Sequence, residues 1–190
     1  MKPLILASGS PRRAKILRDL GIDFEILKTD AEEISIPHDP VRTVTGNALA
    51  KLHAAEAVVE APSRQILAAD TIVWHAGRIY GKPRDLEEAK AFLRELSGQT
   101  HSVFTGMAFR AEDGTERTAC AESRVTFRAL TEDAIADYVA RVRPTDRAGA
   151  YDIDESGDLI VASYTGSYEN IMGLPVEPLR TFGVGVCNGG

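Results

Sequence analysis

The chain has 190 residues, 44% of them hydrophobic and 26% charged, with a formal net charge of −6. This is room for one compact domain over residues 1–190 with a sizeable core, and it excludes collagen-like repeats, long disorder and a small disulfide scaffold. The acidic balance disfavours nucleic acid as a partner of the whole surface, and no apolar run approaches the roughly 20 residues of a membrane span. Leu4–Ala7 is shorter than a secretory apolar core of about 7–15 residues, so the expectation is a cytoplasmic chain. Cys120 and Cys187 have no CxxC neighbour and are expected to be reduced thiols.

In chain order, Leu4–Ala7 predicts a strand that ends in the turn Ser8-Gly9-Ser10, with Pro11 at the first position of a helix capped by Ser10. That helix carries Ile16, Leu17 and Leu20 on one face and stops at Gly21. Phe24–Lys28 reads as a second strand and Thr29–His38 as a loop. Asp39-Pro40 repeats the cap-plus-proline pattern, and Val41, Val44, Ala48, Leu52, Ala55 and Val59 mark a helical stripe that ends before Pro62. Ile66–Val73 reads as a buried strand interrupted by Asp70, turned back at Ala76-Gly77 toward Ile79-Tyr80, with Trp74 in the core.

Asp85 caps a helix through Leu96, closed by Gly98. Thr100–Arg110 and Thr115–Phe127 form a hairpin around Glu112-Asp113-Gly114, long enough to stand as a lobe. Thr131 caps a helix to about Val142, with Glu132 and Asp133 in its first turn. Tyr151–Ile153 and Leu159–Tyr164 read as strands, Gly166–Pro175 as a loop, Val176–Phe182 as a short helix, and the glycine-rich tail as frayed. The expected class is α/β, a mixed elongated sheet flanked by helices.

The segment Ser8-Gly9-Ser10-Pro11-Arg12-Arg13 is the most informative chemically. A strand-to-helix turn presents free N–H groups and the positive end of the helix dipole, a place that suits phosphate. Arg12 and Arg13 stand where the dipole alone would prefer acids, and their forked donors match phosphate oxygens; solvated surface arginines are the plain alternative. Asp70 either needs a partner in a buried strand or lies at an exposed strand end. Lys82, between Gly81 and Pro83, and Lys51, in a helix, are further cations, each a common surface residue when taken singly. Glu32-Glu33 offers oxygen ligands for Mg²⁺. The four histidines lack metal spacing, Ser8 and Ser10 lack a GxSxG setting, and Cys120 lacks a histidine partner.

Together, Leu4-Ile5-Leu6-Ala7-Ser8-Gly9-Ser10-Pro11-Arg12-Arg13, Ala69-Asp70-Thr71, Gly81-Lys82-Pro83, Leu96-Ser97-Gly98, Ala148-Gly149-Ala150-Tyr151 and Gly173-Leu174-Pro175 closely resemble the Maf family of nucleoside triphosphate pyrophosphatases. The resemblance is ordered and spans nearly the whole chain. It implies the fold of Maf and inosine-triphosphate pyrophosphatases, often a homodimer, and hydrolysis of a nucleoside triphosphate to monophosphate and pyrophosphate with Mg²⁺ or Mn²⁺. By position it gives Asp70 the family's proton acceptor, and Ser8, Arg12, Arg13, Glu33, Lys51 and Lys82 its phosphate and metal pocket. Asp70 would deprotonate the attacking water or hold the metal, two roles that compete because a metal-bound carboxylate is a poor base.

Within the resemblance, Ser-Pro-Arg-Arg followed by Asp-Thr looks like the dTTP/UTP branch, so Arg12 and Thr71 vote for pyrimidines. The departure is Asp152-Ile153-Asp154-Glu155, where that branch has Gly-Ile-Gln and Asp154 takes the place of a specificity glutamine. An ionised aspartate only accepts hydrogen bonds, which implies weaker dTTP/UTP discrimination and some use of CTP; a solvent-facing Asp154 is the plain alternative. The competing functions are a 7-methyl-GTP or broader noncanonical nucleotide pyrophosphatase, a nucleotide-binding regulator of septum formation, and an acidic interaction domain.

Overall fold

The computed structural model describes residues 2–59 and 64–184. In order, the elements are β1 (Leu4–Leu6), α1 (Pro11–Asp19), β2 (Phe24–Ile26), α2 (Pro40–Glu56), β3 (Ile66–His75), β4 (Arg78–Tyr80), α3 (Leu86–Leu96), β5 (Thr100–Arg110), β6 (Glu116–Phe127), α4 (Glu132–Val142), β7 (Val161–Thr165), α5 (Tyr168–Ile171) and α6 (Val176–Phe182). The strands make one mixed sheet in the order β2-β1-β3-β5-β6-β7, with β4 paired to β3. β2, β1 and β3 run parallel, and the rest of the ladder is antiparallel.

The helices start where short polar side chains can satisfy amides that a first turn leaves without partners. Asp39 accepts from the Arg42 amide, Asp85 from Glu88 and Thr131 from Ala134. α1 and α6 are the exceptions: the Ser10 side chain makes no cap bond, and α6 follows Pro175, which has no polar side chain to cap with. One sheet face packs Ile66, Ala68 and Ala108 against Ala48 and Leu52 of α2. The other packs Leu67, Met107 and Phe109 against α1 and α6, while α3 and α4 close a further cluster around Val103, Val125 and Phe127.

Several expected elements come out differently. Tyr151–Ile153 is no strand: Tyr151 and Asp152 are buried, but their segment is tied to the Tyr138 hydroxyl and to Arg147. Gly157–Leu159 is a 3₁₀ turn, so β7 begins only at Val161, and the loop after it contains the single turn α5, capped by Ser167. The hairpin does not form a lobe, since β5 is paired on both sides and lies inside the sheet. Trp74 is partly exposed, with its indole N–H on the Pro37 carbonyl. The glycine-rich tail from 185 and Cys187 lie outside the described residues.

The sheet is interrupted along the middle of β3. β3 pairs with β1 only at Ile66 and Leu67 and with β4 only from Val73 to His75. Along Ala68–Ile72 its one strand neighbour among the described residues is β5. β1 ends beside this gap, the kind of place where ligands gather in open α/β sheets. Alternation along β3 sends the Asp70 side chain toward α2 and that of Thr71 toward α1, so the gap draws groups from both faces.

Gly106 stands opposite Asp70 in the β3–β5 ladder. A Cβ on it would lie 2.3 Å from the Val44 carbonyl carbon and 2.4 Å from its oxygen, so α2 can approach the sheet only because residue 106 has no side chain. Gly106→Ala should therefore destabilise the chain by about 3 kcal/mol, the upper end for overpacking, since backbone rather than a flexible side chain must yield. Urea unfolding checks this, and a midpoint like that of the wild type would show that α2 does not depend on the contact.

Candidate active site

The gap in β3 opens into a cleft of about 830 Å³. On the α1 side, the turn after β1 and the first turn of α1 deliver Ser8 and Arg13. Each nitrogen of the Arg13 guanidinium makes one bond, which leaves an N–H on Nη1 and on Nη2 for a ligand: Nε donates to the Gly173 carbonyl (2.8 Å), Nη1 to the Ser8 hydroxyl (3.0 Å) and Nη2 to the Thr71 hydroxyl (3.0 Å). Burial pulls its pKa down to about 10, against the opposing pull of Asp70, and leaves it cationic at neutral pH. Thr71 is held in turn by Thr105, whose hydroxyl also donates to the Asn170 carbonyl. Gly173 has φ +99°, and a Cβ there would sit 3.1 Å from the Thr71 hydroxyl oxygen, so glycine lets this backbone reach Arg13.

On the α2 side, Asn47 and Lys51 stand one helical turn apart and both reach Asp70. Lys51 Nζ donates to Asp70 Oδ1 at 2.7 Å, and Asn47 Nδ2 to Oδ2 at 3.0 Å. Lys51 Nζ also lies 2.9 Å from Glu33 Oε1, on the loop between β2 and α2. Asn47 pins that loop as well, by exchanging two hydrogen bonds with the Ile34 backbone. One ammonium thus already stands between two carboxylates, an oxygen-rich arrangement that suits a hard divalent cation at Glu33 and Asp70.

The charges lining the cleft balance. Arg12, Arg13, Lys28, Lys51 and Lys82 are matched in number by Asp30, Glu33, Asp70, Asp146 and Asp152. A ligand as anionic as a triphosphate meets local cations but no net positive field, so a divalent cation accompanying it adds charge the protein lacks. Lys82 is exposed at the rim, on the turn between β4 and α3.

Ser8, Arg12, Arg13, Glu33, Lys51, Asp70, Thr71 and Lys82 are all brought to the one cleft. Asp154 is placed differently: it is exposed, outside the cleft lining, and its carboxylate accepts the Tyr168 hydroxyl at 3.0 Å. The carboxylate that lines the cleft in this stretch is Asp152, bound to Arg147 and Arg12. Sequence reasoning missed Asn47, Asp152 and Arg147. The four-residue spacing of Asn47 and Lys51 was a usable signal for the first, whereas the other two need the folded loop.

Elsewhere, His53, Glu56 and Glu116 meet on the far end of α2 and β6. Glu56 there is 2.8 Å from the Arg110 guanidinium, which supplies the positive charge a metal would bring. Burial, with Glu122, pushes the Cys120 thiol up to about 11, which keeps it protonated. No helix among the described residues is long and apolar enough to cross a membrane.

Residues 3–182 match the family described as Maf-like protein, and the chain belongs to that family. A Bacillus anthracis protein named dTTP/UTP pyrophosphatase is 45% identical over 181 residues, covering 94% of this chain and 93% of its own. An Akkermansia muciniphila protein of the same name is 44% identical over 179 residues, 92% of each chain. Among solved structures, that of the Staphylococcus aureus Ham1 protein is 15% identical, with a TM-score of 0.49 over 67% of this chain and 73% of its own.

The Arg13 fork yields a stability prediction. A lysine cannot meet Gly173, Ser8 and Thr71 at once from one ammonium, so Arg13→Lys should lose about 1–3 kcal/mol. A urea midpoint unchanged by the substitution would mean that the three bonds do not hold α1 to the cleft.

Proposed function

We propose that residues 1–190 act as one metal-dependent pyrophosphatase unit that hydrolyses pyrimidine nucleoside triphosphates, dTTP and UTP foremost, to the monophosphate and pyrophosphate. The observation that carries this reading is the Lys51 ammonium shared by Asp70 and Glu33 across the cleft from the Ser8–Arg13 turn. Anion-binding groups and cation-binding carboxylates face one another there. Membership of the Maf-like family and the names of the Bacillus and Akkermansia relatives support the same reaction.

In this reading the triphosphate lies along the start of α1, with Ser8, Arg13 and Lys82 on its phosphate oxygens and Lys51 reaching it from α2. Glu33 and Asp70 are the residues that would hold Mg²⁺ or Mn²⁺, whose chemistry is to neutralise charge on the phosphates and the departing pyrophosphate. Water adds to the α-phosphorus, the bond to the bridging oxygen breaks, and pyrophosphate carries away the electron pair. Lys51 and Asn47 turn the Asp70 carboxylate into the cleft, the orientation it needs to take the proton of that water or to hold the cation. Arg12 and Thr71 set base choice, and Asp154 acts on it through the turn it shares with Asp152, whose Oδ1 accepts the Asp154 amide. A homodimer and a cytoplasmic place in clearing the nucleotide pool complete the proposal.

The test is a panel of dTTP, UTP, CTP, 7-methyl-GTP and dITP with and without Mg²⁺ or Mn²⁺, with monophosphate and pyrophosphate both quantified. Expected is metal-dependent release of pyrophosphate, fastest with dTTP and UTP, and a loss of at least about 100-fold in kcat for Asp70→Asn. Folded protein that turns over none of them would refute the reading, and a lead for 7-methyl-GTP or dITP would move it to a purine nucleotide. Asp154→Gln should shift relative kcat/KM toward dTTP and UTP; an unchanged ranking removes Asp154 from specificity.

A further inference from the structure

The fold treats the two tandem arginines of α1 oppositely. Arg13 is tied into the turn by Ser8, Thr71 and Gly173. Arg12 reaches the other way, and its Nη1 lies 3.5 Å from Oδ2 of Asp152, 140 positions along the chain.

The Asp152 side chain is only 5% exposed, and both its side chain and its backbone are hydrogen-bonded. The same Oδ2 accepts Arg147 Nε at 3.0 Å, and Oδ1 accepts the Asp154 amide at 2.9 Å. Its backbone N–H donates to the Tyr138 hydroxyl at 2.9 Å, and its carbonyl accepts from that hydroxyl at 3.3 Å. Arg147 is clamped in turn by Asp146 and Glu155. Burial works against the Arg147 charge, but Asp152, Asp146 and Glu155 overcome it and raise the pKa. Asp152 is thus a fixed anchor, and Arg12, 23% exposed and held by one long contact, is the part it can steer.

A carboxylate that already has two guanidinium partners offers little free charge to a ligand, so its influence lies in the direction it imposes on Arg12. A guanidinium carries five N–H donors in a planar fork, and Asp152 engages one nitrogen. The others remain for the cleft, where Ala148 and Tyr151 beside Asp152 add lining surface that suits a flat base better than a phosphate. Uracil and thymine present a carbonyl acceptor at the ring position where cytosine carries an amine donor. Aimed N–H donors therefore favour the first two.

We propose that Asp152 is a positioning residue for specificity, drawing Arg12 away from the phosphate turn and aiming its remaining donors at a carbonyl oxygen of a uracil or thymine base. The ligand class rests on the pyrophosphatase reading, so the test reads binding without turnover. The α,β-methylene analogues of UTP and CTP are titrated calorimetrically into the full chain with Mg²⁺. Asp152→Asn, which keeps an oxygen for the Asp154 amide, should weaken the UTP analogue about tenfold and the CTP analogue less than about twofold. Asp152→Glu should recover most of the loss, and in an Arg12→Ala background Asp152→Asn should have no further effect.

Equal weakening of both analogues, tighter binding of both, or an effect that persists without Arg12 would overturn the proposal. If Asp152→Asn does not fold, Arg12→Lys carries the test, since lysine keeps the charge but not the fork; an unchanged preference for uracil over cytosine then overturns it. A wild-type chain that binds with this preference but does not hydrolyse refutes the hydrolase reading alone. One that hydrolyses UTP yet is indifferent to Asp152 refutes this inference alone, and one that binds neither analogue overturns both.

Discussion

Placing a carboxylate in the middle of a buried strand is the constraint from which most of this architecture follows. Asp70 is 7% exposed, and removing such a group from water without partners costs several kcal/mol. Lys51 and Asn47 supply the partners, one on each carboxylate oxygen, and both come from the same face of α2. The helix must therefore lie directly over β3 and β5, which is possible only where the facing strand position is the bare backbone of Gly106. Losing one member of such a buried pair typically costs about 3–5 kcal/mol, so the groups that would do the chemistry also hold the layers together.

The same packing explains why the cleft is both charged and balanced. Strand alternation separates Asp70 from Thr71, and the break in pairing between β1 and β4 lets groups from both faces meet in one opening. Cations collect at the open start of α1, and carboxylates collect under α2 and in the stretch from Asp146 to Asp152. The two sets match in number.

Two adjacent arginines with similar intrinsic chemistry acquire different surroundings for reasons of geometry. All three Arg13 nitrogens donate, to the Gly173 carbonyl and to the hydroxyls of Ser8 and Thr71, and its burial is the largest influence on its pKa. Arg12 is one position further round the helix start, which points it at the Asp152–Arg147 loop instead. Helical rotation of about 100° per residue is enough to divide the labour.

Much of the frame was legible in the sequence because its signals are local. The caps Asp39, Asp85 and Thr131, the helical stripe through Val44, Ala48 and Leu52, and the β-branched run around Asp70 all act over a few residues, and the structure keeps each of them. Arg12, Arg13 and Asp70 stood out for a related reason, since charges out of place in a first helical turn or a buried strand demand an explanation, whereas Ser8, Glu33, Lys51 and Lys82 were grouped with them by the family resemblance. Tyr151–Ile153 could not be read correctly, because the Asp152 backbone N–H pairs with the Tyr138 hydroxyl and its carboxylate with Arg147, where a strand would pair with a neighbouring strand. Nor could the placement of Asp152 rather than Asp154 in the cleft lining, since which of two nearby carboxylates faces a cleft depends on contacts with Arg12, Arg147 and Tyr168, up to 140 residues away. The sequence by itself determined the elements, their caps and the chemical types available to the site. Only the tertiary structure decided which of those groups meet, because the energy of a buried charge depends on its partners in space and not on its neighbours in the chain.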